Sequence, residues 1–180
     1  MDEAFIKKVQ PNSPEAEQSV IGAMIMDRDA IADVIDIVSA DDFYQKQNGI
    51  LFEAMTELYR EGKPVDLVTL QNKLKKKDVP ESMKSLEFIR DLLEAVPTSA
   101  NAKQYAKIVS EKATLRKLIK VTEDITTECY LGKDDVTEIL DHTEKNVFGL
   151  LQQASGREDF VPIDKVVLNT LDAIEEAASS

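Results

Sequence analysis

The sequence predicts an all-α protein: a compact helical head, a long antiparallel helical hairpin and a tethered amphipathic helix. Three observations predict it. Apolar residues recur at three- and four-residue spacing in segment after segment, as they do on the buried face of a helix. The 6 Gly and 6 Pro fall between those segments like punctuation. Only the patch 64–70 carries a strand-like run of Val, Leu and Thr. At 180 residues, 43% of them hydrophobic, the chain can hold one ordinary domain with an appendage. The division expected is a head over 1–97, a hairpin over 98–152 and a linker over 153–180 containing a helix at 163–177.

Residues 1–10 read as a short tail. A strong helix start follows: Ser13 can cap, Pro14 suits the first helical position, and Glu15 and Glu17 face the positive end of the helix dipole. Val20, Ile21, Met24 and Ile25 form the buried stripe, and Gly22 among them signals a closely packed neighbour. Ile31, Val34, Ile35 and Val38 predict a second helix capped by Asp29. Asp41, Asp42, Phe43 and Tyr44 predict a turn whose aromatic rings plug the core. A third helix is expected over 49–59, closed by Gly62 and Pro64. Asp66 caps a short fourth that carries Leu70 and Leu74. A fifth spans 85–96, with Phe88, Ile89, Leu92 and Leu93 inward and Pro97 beyond its end.

After Pro97 the pattern changes. Asn101 is expected to cap a helix that meets no Gly or Pro as far as Cys129, where a half-buried spectator thiol is the default. Gly132 supplies the turn, and Asp135 and Glu138 are spaced as a capping box. On the return arm Val136, Leu140, Thr143, Val147 and Leu150 alternate four- and three-residue steps, the spacing of a coiled-coil seam. Tyr105, Ile108, Leu115, Leu118, Ile119 and Ile125 are expected to face it. Two helices bury only one side of each arm, so Val109, Val121, Phe148 and Leu151 remain for a second copy of the chain. Self-association is assigned to the hairpin through Val136, Leu140, Val147 and Leu150. A polar break at 155–162 then leads to the last helix, whose apolar face comprises Ile163, Val166, Val167, Leu171 and Ile174. A lone helix of roughly 15 residues is marginal in water. The chain therefore reads as a fragment or subunit whose final helix is meant for another surface.

Composition excludes more than it assigns. There are 34 acidic and 22 basic residues, a formal charge of −12, which repels phosphate backbones. The tightest basic run, Lys73, Lys75, Lys76 and Lys77, reads as a solvated helix end. The single cysteine rules out an internal disulfide, and no signal peptide or 18-residue apolar run is seen, so a soluble cytoplasmic protein is expected. Phosphate-binding, dinucleotide, zinc-protease and nucleophile-elbow motifs are missing. His142, the only histidine, is expected at solvent or in an interface. No catalytic, metal-binding or cofactor-binding residue is expected. The rival readings are a helical metal-dependent hydrolase with a scattered acidic site and a direct single-stranded DNA-binding domain. The lone histidine counts against the first and the charge against the second.

Several stretches resemble one family. PNSPEAEQSVIGAMIMD (11–27), ADDFYQKQNGILFEAMTELYREGKPVDLVTL (40–70), AVPTSANAKQYAKIVSEKATLRKLI (95–119) and the FVPI before the last helix are similar to the amino-terminal part of bacterial replicative DNA helicases of the DnaB type, in the family's order. The resemblance, most marked to Gram-positive members, implies a non-catalytic collar that assembles as a trimer of dimers within a hexamer. It implies docking of the carboxy-terminal domain of primase, with Glu15, Phe88, Ile119 and Ile125 as candidates. It implies that the linker helix packs on the neighbouring subunit's ATPase domain, and that a helicase loader is a further partner. ATP and magnesium belong to a motor domain outside these residues, and little direct nucleic-acid binding and no membrane contact are implied.

Overall fold

A computed structural model describes residues 9–94, 101–133 and 135–158, with side chains described to 91 and 152 in the first and last stretches. Among the described residues there are seven α-helices, two 3-10 turns and no strand. The fold is all-α, as the periodicity predicts.

Helix α1 (Pro14–Met26) opens with the Ser13 hydroxyl accepting from the Ala16 N–H and Pro14 in the first turn. Helix α2 (Arg28–Ile35) follows with no loop between. Its cap is Asp27 rather than Asp29: α1 runs on through Met26, and the Asp27 carboxylate accepts the Asp29 N–H at 2.9 Å. A 3-10 turn, Ala40–Asp42, leads into helix α3 (Lys46–Arg60). Phe43 plugs the core there, packing against Phe52 with ring centroids 5.3 Å apart, whereas Tyr44 is 40% exposed. Helix α3 starts three residues before the expected Gly49, and Gly49 has a different purpose. A Cβ on it would lie 2.6 Å from the Ala40 carbonyl oxygen, so only glycine lets the turn approach the helix this closely.

Helix α3 ends at Gly62, whose φ of +70° lets its own N–H reach the Tyr59 carbonyl and the Lys63 N–H reach that of Leu58. Helix α4 (Leu67–Lys75) is capped by Asp66, which accepts from Val68 and Thr69 while the Thr69 hydroxyl accepts from Asp66 in return. A second 3-10 turn, Glu81–Lys84, carries the fully buried Met83, which the periodicity does not reveal. Helix α5 (Leu86–Glu94) buries Ile89 and half-buries Phe88. Leu92 and Leu93 lie outside the described side chains. Val20, Ile21 and Met24 of α1 sit at the centre of the core, with Ile31, Leu51, Met55, Leu70 and Leu74 around them.

Helix α6 (Ala102–Leu131) and helix α7 (Val136–Glu158) form the hairpin, turned by Gly132 with φ +54°. The first three turns of α6 belong to the head's core: Ala102, Ala106, Val109 and Ala113 are buried, and α6 lies along α1. This corrects three expectations. Val109 is 1% exposed and not free for a second copy, and Tyr105 and Ile108 pack on the head rather than facing α7. The seam between the arms is also displaced. Val136, at the very start of α7, and Leu140 are 69% and 63% exposed, while Ile139, Thr143, Val147 and Leu150 are half-buried. At 100° per residue Leu140 and Ile139 flank the Thr143 direction, about 60° to one side and about 40° to the other, and the packing of the arms takes Ile139 into the seam. Leu115 and Leu118, expected in the seam, are exposed; Cys129 is exposed rather than half-buried. Helix α7 also runs through Ser155 and Gly156, where a break was expected, because a single glycine costs only about 1 kcal/mol in a helix and no proline intervenes. None of the described helices is long and apolar enough to cross a membrane.

Candidate interaction surfaces

Two buried carboxylates organise the junction between head and hairpin. Glu17 continues the Val20–Ile21–Met24 stripe one turn earlier and is 1% exposed. Its carboxylate accepts from the Tyr44 N–H at 2.7 Å, the Gln45 N–H at 3.1 Å and the Asn48 side-chain amide at 3.1 Å. Gln45 precedes α3 and makes no side-chain cap of its own, and Glu17 of α1 ties the two residues leading into α3, and Asn48 in its first turn, to the core. Asp42, with no exposed surface, accepts from the Ser39 N–H and hydroxyl and pairs with Lys117 of α6 at 2.8 Å. Beside it Arg116 donates to the Pro11 carbonyl at 2.7 Å and the Asp42 carbonyl at 2.6 Å, its guanidinium 5.6 Å from the centre of the Tyr44 ring.

Sequence reasoning places Glu17 at a helix end and Asp42 in a turn, and it passes over Arg116 and Lys117. One signal was available. Glu17, Val20, Ile21 and Met24 share helical spacing, so a carboxylate stands on the apolar stripe and must be satisfied inside.

A second electrostatic surface joins α3 to α4. Lys73 pairs with Glu57 and Glu61, and Lys77 with Glu53 and Glu57, at 2.6 to 3.0 Å. Hydrogen bonds from Lys73 and Lys77 hold the Glu57 carboxyl below its ordinary range, and Lys63 and Lys73 lower that of Glu61 to about 2. The same pairs raise Lys73. Lys77 is raised by Glu57 and Glu53 although its partial burial opposes this. Half of the basic run is thereby engaged by carboxylates.

Of the primase-docking candidates, Glu15 is exposed in the first turn of α1 and Phe88 is half-buried against the core on α5. Ile119, one turn beyond Arg116, and Ile125 are half-buried on α6. Helix α1 packs on both α5 and α6, which groups the elements carrying the first three; Ile125 lies further along the hairpin. Among the self-association candidates Val136 and Leu140 are exposed, Val147 and Leu150 half-buried. Phe148 and Leu151 present a further exposed apolar pair, 58% and 57%. His142 is exposed, 3.5 Å from Glu128. The face Ile163, Val166, Val167, Leu171 and Ile174 lies outside the described residues. Among the described residues no cluster of His, Cys, Asp or Glu could hold a metal ion.

A helical head with a hairpin rising from its core defines the class: an all-helical head-and-hairpin domain. Residues 9–111 match the family described as DnaB-like helicase N terminal domain, and the chain belongs to that family. Over 175 residues, 97% of the chain, it is 34% identical to the replicative DNA helicase DnaB of Geobacillus stearothermophilus. It covers 38% of that relative, so it spans well under half of its length. The crystal structure of the N-terminal domain of DnaB helicase from Mycobacterium tuberculosis superimposes with a TM-score of 0.74 at 34% identity, covering 78% of this chain and 99% of that one. The N-terminal domain of the Helicobacter pylori DnaB helicase, described together with its interactions with primase, shares the fold. Its TM-score is 0.56 at 24% identity, over 64% of this chain and 90% of that one.

Proposed function

We propose that this chain is the assembly and partner-docking module of a hexameric replicative DNA helicase, and that it receives primase without performing chemistry itself. One observation carries the reading. Leu115, Leu118, Val136, Leu140, Phe148 and Leu151 of the hairpin are all exposed, an apolar surface that a second chain can cover. On this reading hairpins pair the chains into dimers, three dimers close the collar, and Val136, Leu140, Val147 and Leu150 lie at or beside the pairing face. The head, 1–97, and the outgoing arm of the hairpin, 98–152, offer Glu15, Phe88, Ile119 and Ile125 to the carboxy-terminal domain of primase. The described interactions of the Helicobacter pylori domain with primase support that partner.

The linker, 153–180, carries Ile163, Val166, Val167, Leu171 and Ile174 to the neighbouring subunit's ATPase domain. ATP and magnesium are bound there, in a longer parent that works as an ATP-dependent DNA helicase in the cytoplasm. A helicase loader is a further partner. Sedimentation equilibrium combined with calorimetric titration of a primase carboxy-terminal domain tests the reading. A dimer or larger species that binds the domain is expected. A monomer that takes up none of it overturns both assembly and docking.

A further inference from the structure

We propose that Arg116 and Lys117 form a clamp that sets the direction in which the hairpin leaves the head. Helix α6 has no glycine or proline from Ala102 to Leu131, so the hairpin can be redirected only where α6 leaves the core. That point is sharply marked. Ala113 is the last buried residue of α6, and Arg116 and Lys117 stand one turn beyond it.

The apolar contact before that point holds α6 down but directs it poorly. Three of its four buried positions are alanines, and the larger Tyr105 and Ile108 beside them pack only partly against the head. Burial of apolar surface is also non-directional, whereas hydrogen bonds fall away steeply with angle. The clamp provides direction through two separate segments of the head. The rigid guanidinium fork of Arg116 spans the carbonyls of Pro11, ahead of α1, and Asp42, in the turn before α3. Lys117 adds the pair with the buried Asp42 carboxylate, which Ser39 holds from the other side. Glu17 fixes the same turn to α1 through Tyr44 and Gln45. A change in hairpin direction must break bonds to both segments at once. The clamp therefore makes head and hairpin one rigid body. It goes beyond the docking reading and does not depend on it.

Distance measurement between spin labels tests the clamp whether or not primase binds. Cys129, exposed near the hairpin tip, takes one label, and Asp33→Cys, exposed on α2, takes the other. Excess unlabelled chain dilutes any signal between copies. The parent should give one narrow distance. In Arg116→Gln/Lys117→Gln the distribution should broaden, its mean moving about 3 Å for each ~10° of swing, given roughly 1.5 Å of helix per residue from Arg116 to Cys129. Arg116→Lys keeps the charge but loses the fork, and should also broaden the distribution with the fold intact. If the double variant loses its cooperative melt, Arg116→Lys alone decides. A distribution from a folded variant that superimposes on the parent's overturns the clamp.

Discussion

Glu17 shows how much one buried carboxylate can organise. It sits on the inward stripe of α1, and its partners are 27 to 31 residues away in sequence. Glu17→Ala would leave the part-buried Tyr44 and Gln45 N–H groups and the buried Asn48 amide without their acceptor. Such donors cost roughly 1–3 kcal/mol each when unpaired, and relaxation or water entry recovers part of that. Urea denaturation should show a loss of about 2–4 kcal/mol for this variant. Glu17→Gln preserves the volume but turns one acceptor into a donor facing donors, so it should recover little of the loss. A loss below about 1 kcal/mol in Glu17→Ala would mean these donors are satisfied by something else. The residue type was legible in the sequence; its partners were not. Spacing reports which face of α1 a residue occupies, but not what the fold brings to that face.

At the scale of elements, the α3–α4 ion cluster makes a pH-dependent seam. Glu57 and Glu61 titrate below the ordinary glutamate value of 4.5, Glu61 at about 2. A depressed carboxyl adds stability that is present above its unfolded pKa and lost as pH falls through its folded one. The cluster therefore contributes at neutral pH and is lost on acidification from 4.5 towards 2. The raised Lys73 withdraws its share only above its ordinary 10.5. Urea midpoints followed against pH should fall more steeply below 4.5 in the parent than in Lys73→Met/Lys77→Met. The carboxylates of these pairs are partly open to solvent, so the difference should shrink in high salt.

The hairpin offers a sharper comparison. Ile139→Asp places a charge in the half-buried seam and should loosen α7 from α6, seen as lost helical signal. Leu140→Asp, its neighbour, changes an exposed position. It should keep the helical signal and melting profile while shifting the solution mass towards monomer. Equal unfolding in both variants would show the seam to be wider than the burial pattern indicates. A seven-residue pattern identifies a seam, but Ile139 and Leu140 are adjacent aliphatics on its edge. Only the final rotation of α7 separates them. The start of α6 was misread for a related reason: the same stripe serves the head for three turns and the hairpin afterwards, with no break between the two uses.

Across the whole molecule, the order of elements and most of their ends were legible because caps and breakers act locally, as at Ser13, Asp66, Gly62 and Gly132. The junction of head and hairpin was not, because Arg116 and Lys117 look like ordinary surface cations until Pro11 and Asp42 are placed beside them. Gly149 has a consequence of its own. A methyl group added there would meet nothing within 4 Å, yet a glycine inside a helix weakens it by about 0.5–1 kcal/mol relative to alanine. It leaves a shallow notch on the return arm, about 100° around the helix from Phe148 and turned away from the seam. Gly149→Ala should raise the melting temperature of dilute chain. If paired arms cross at the notch, the same methyl should weaken their affinity, and melting curves taken at low and high concentration would then move in opposite directions.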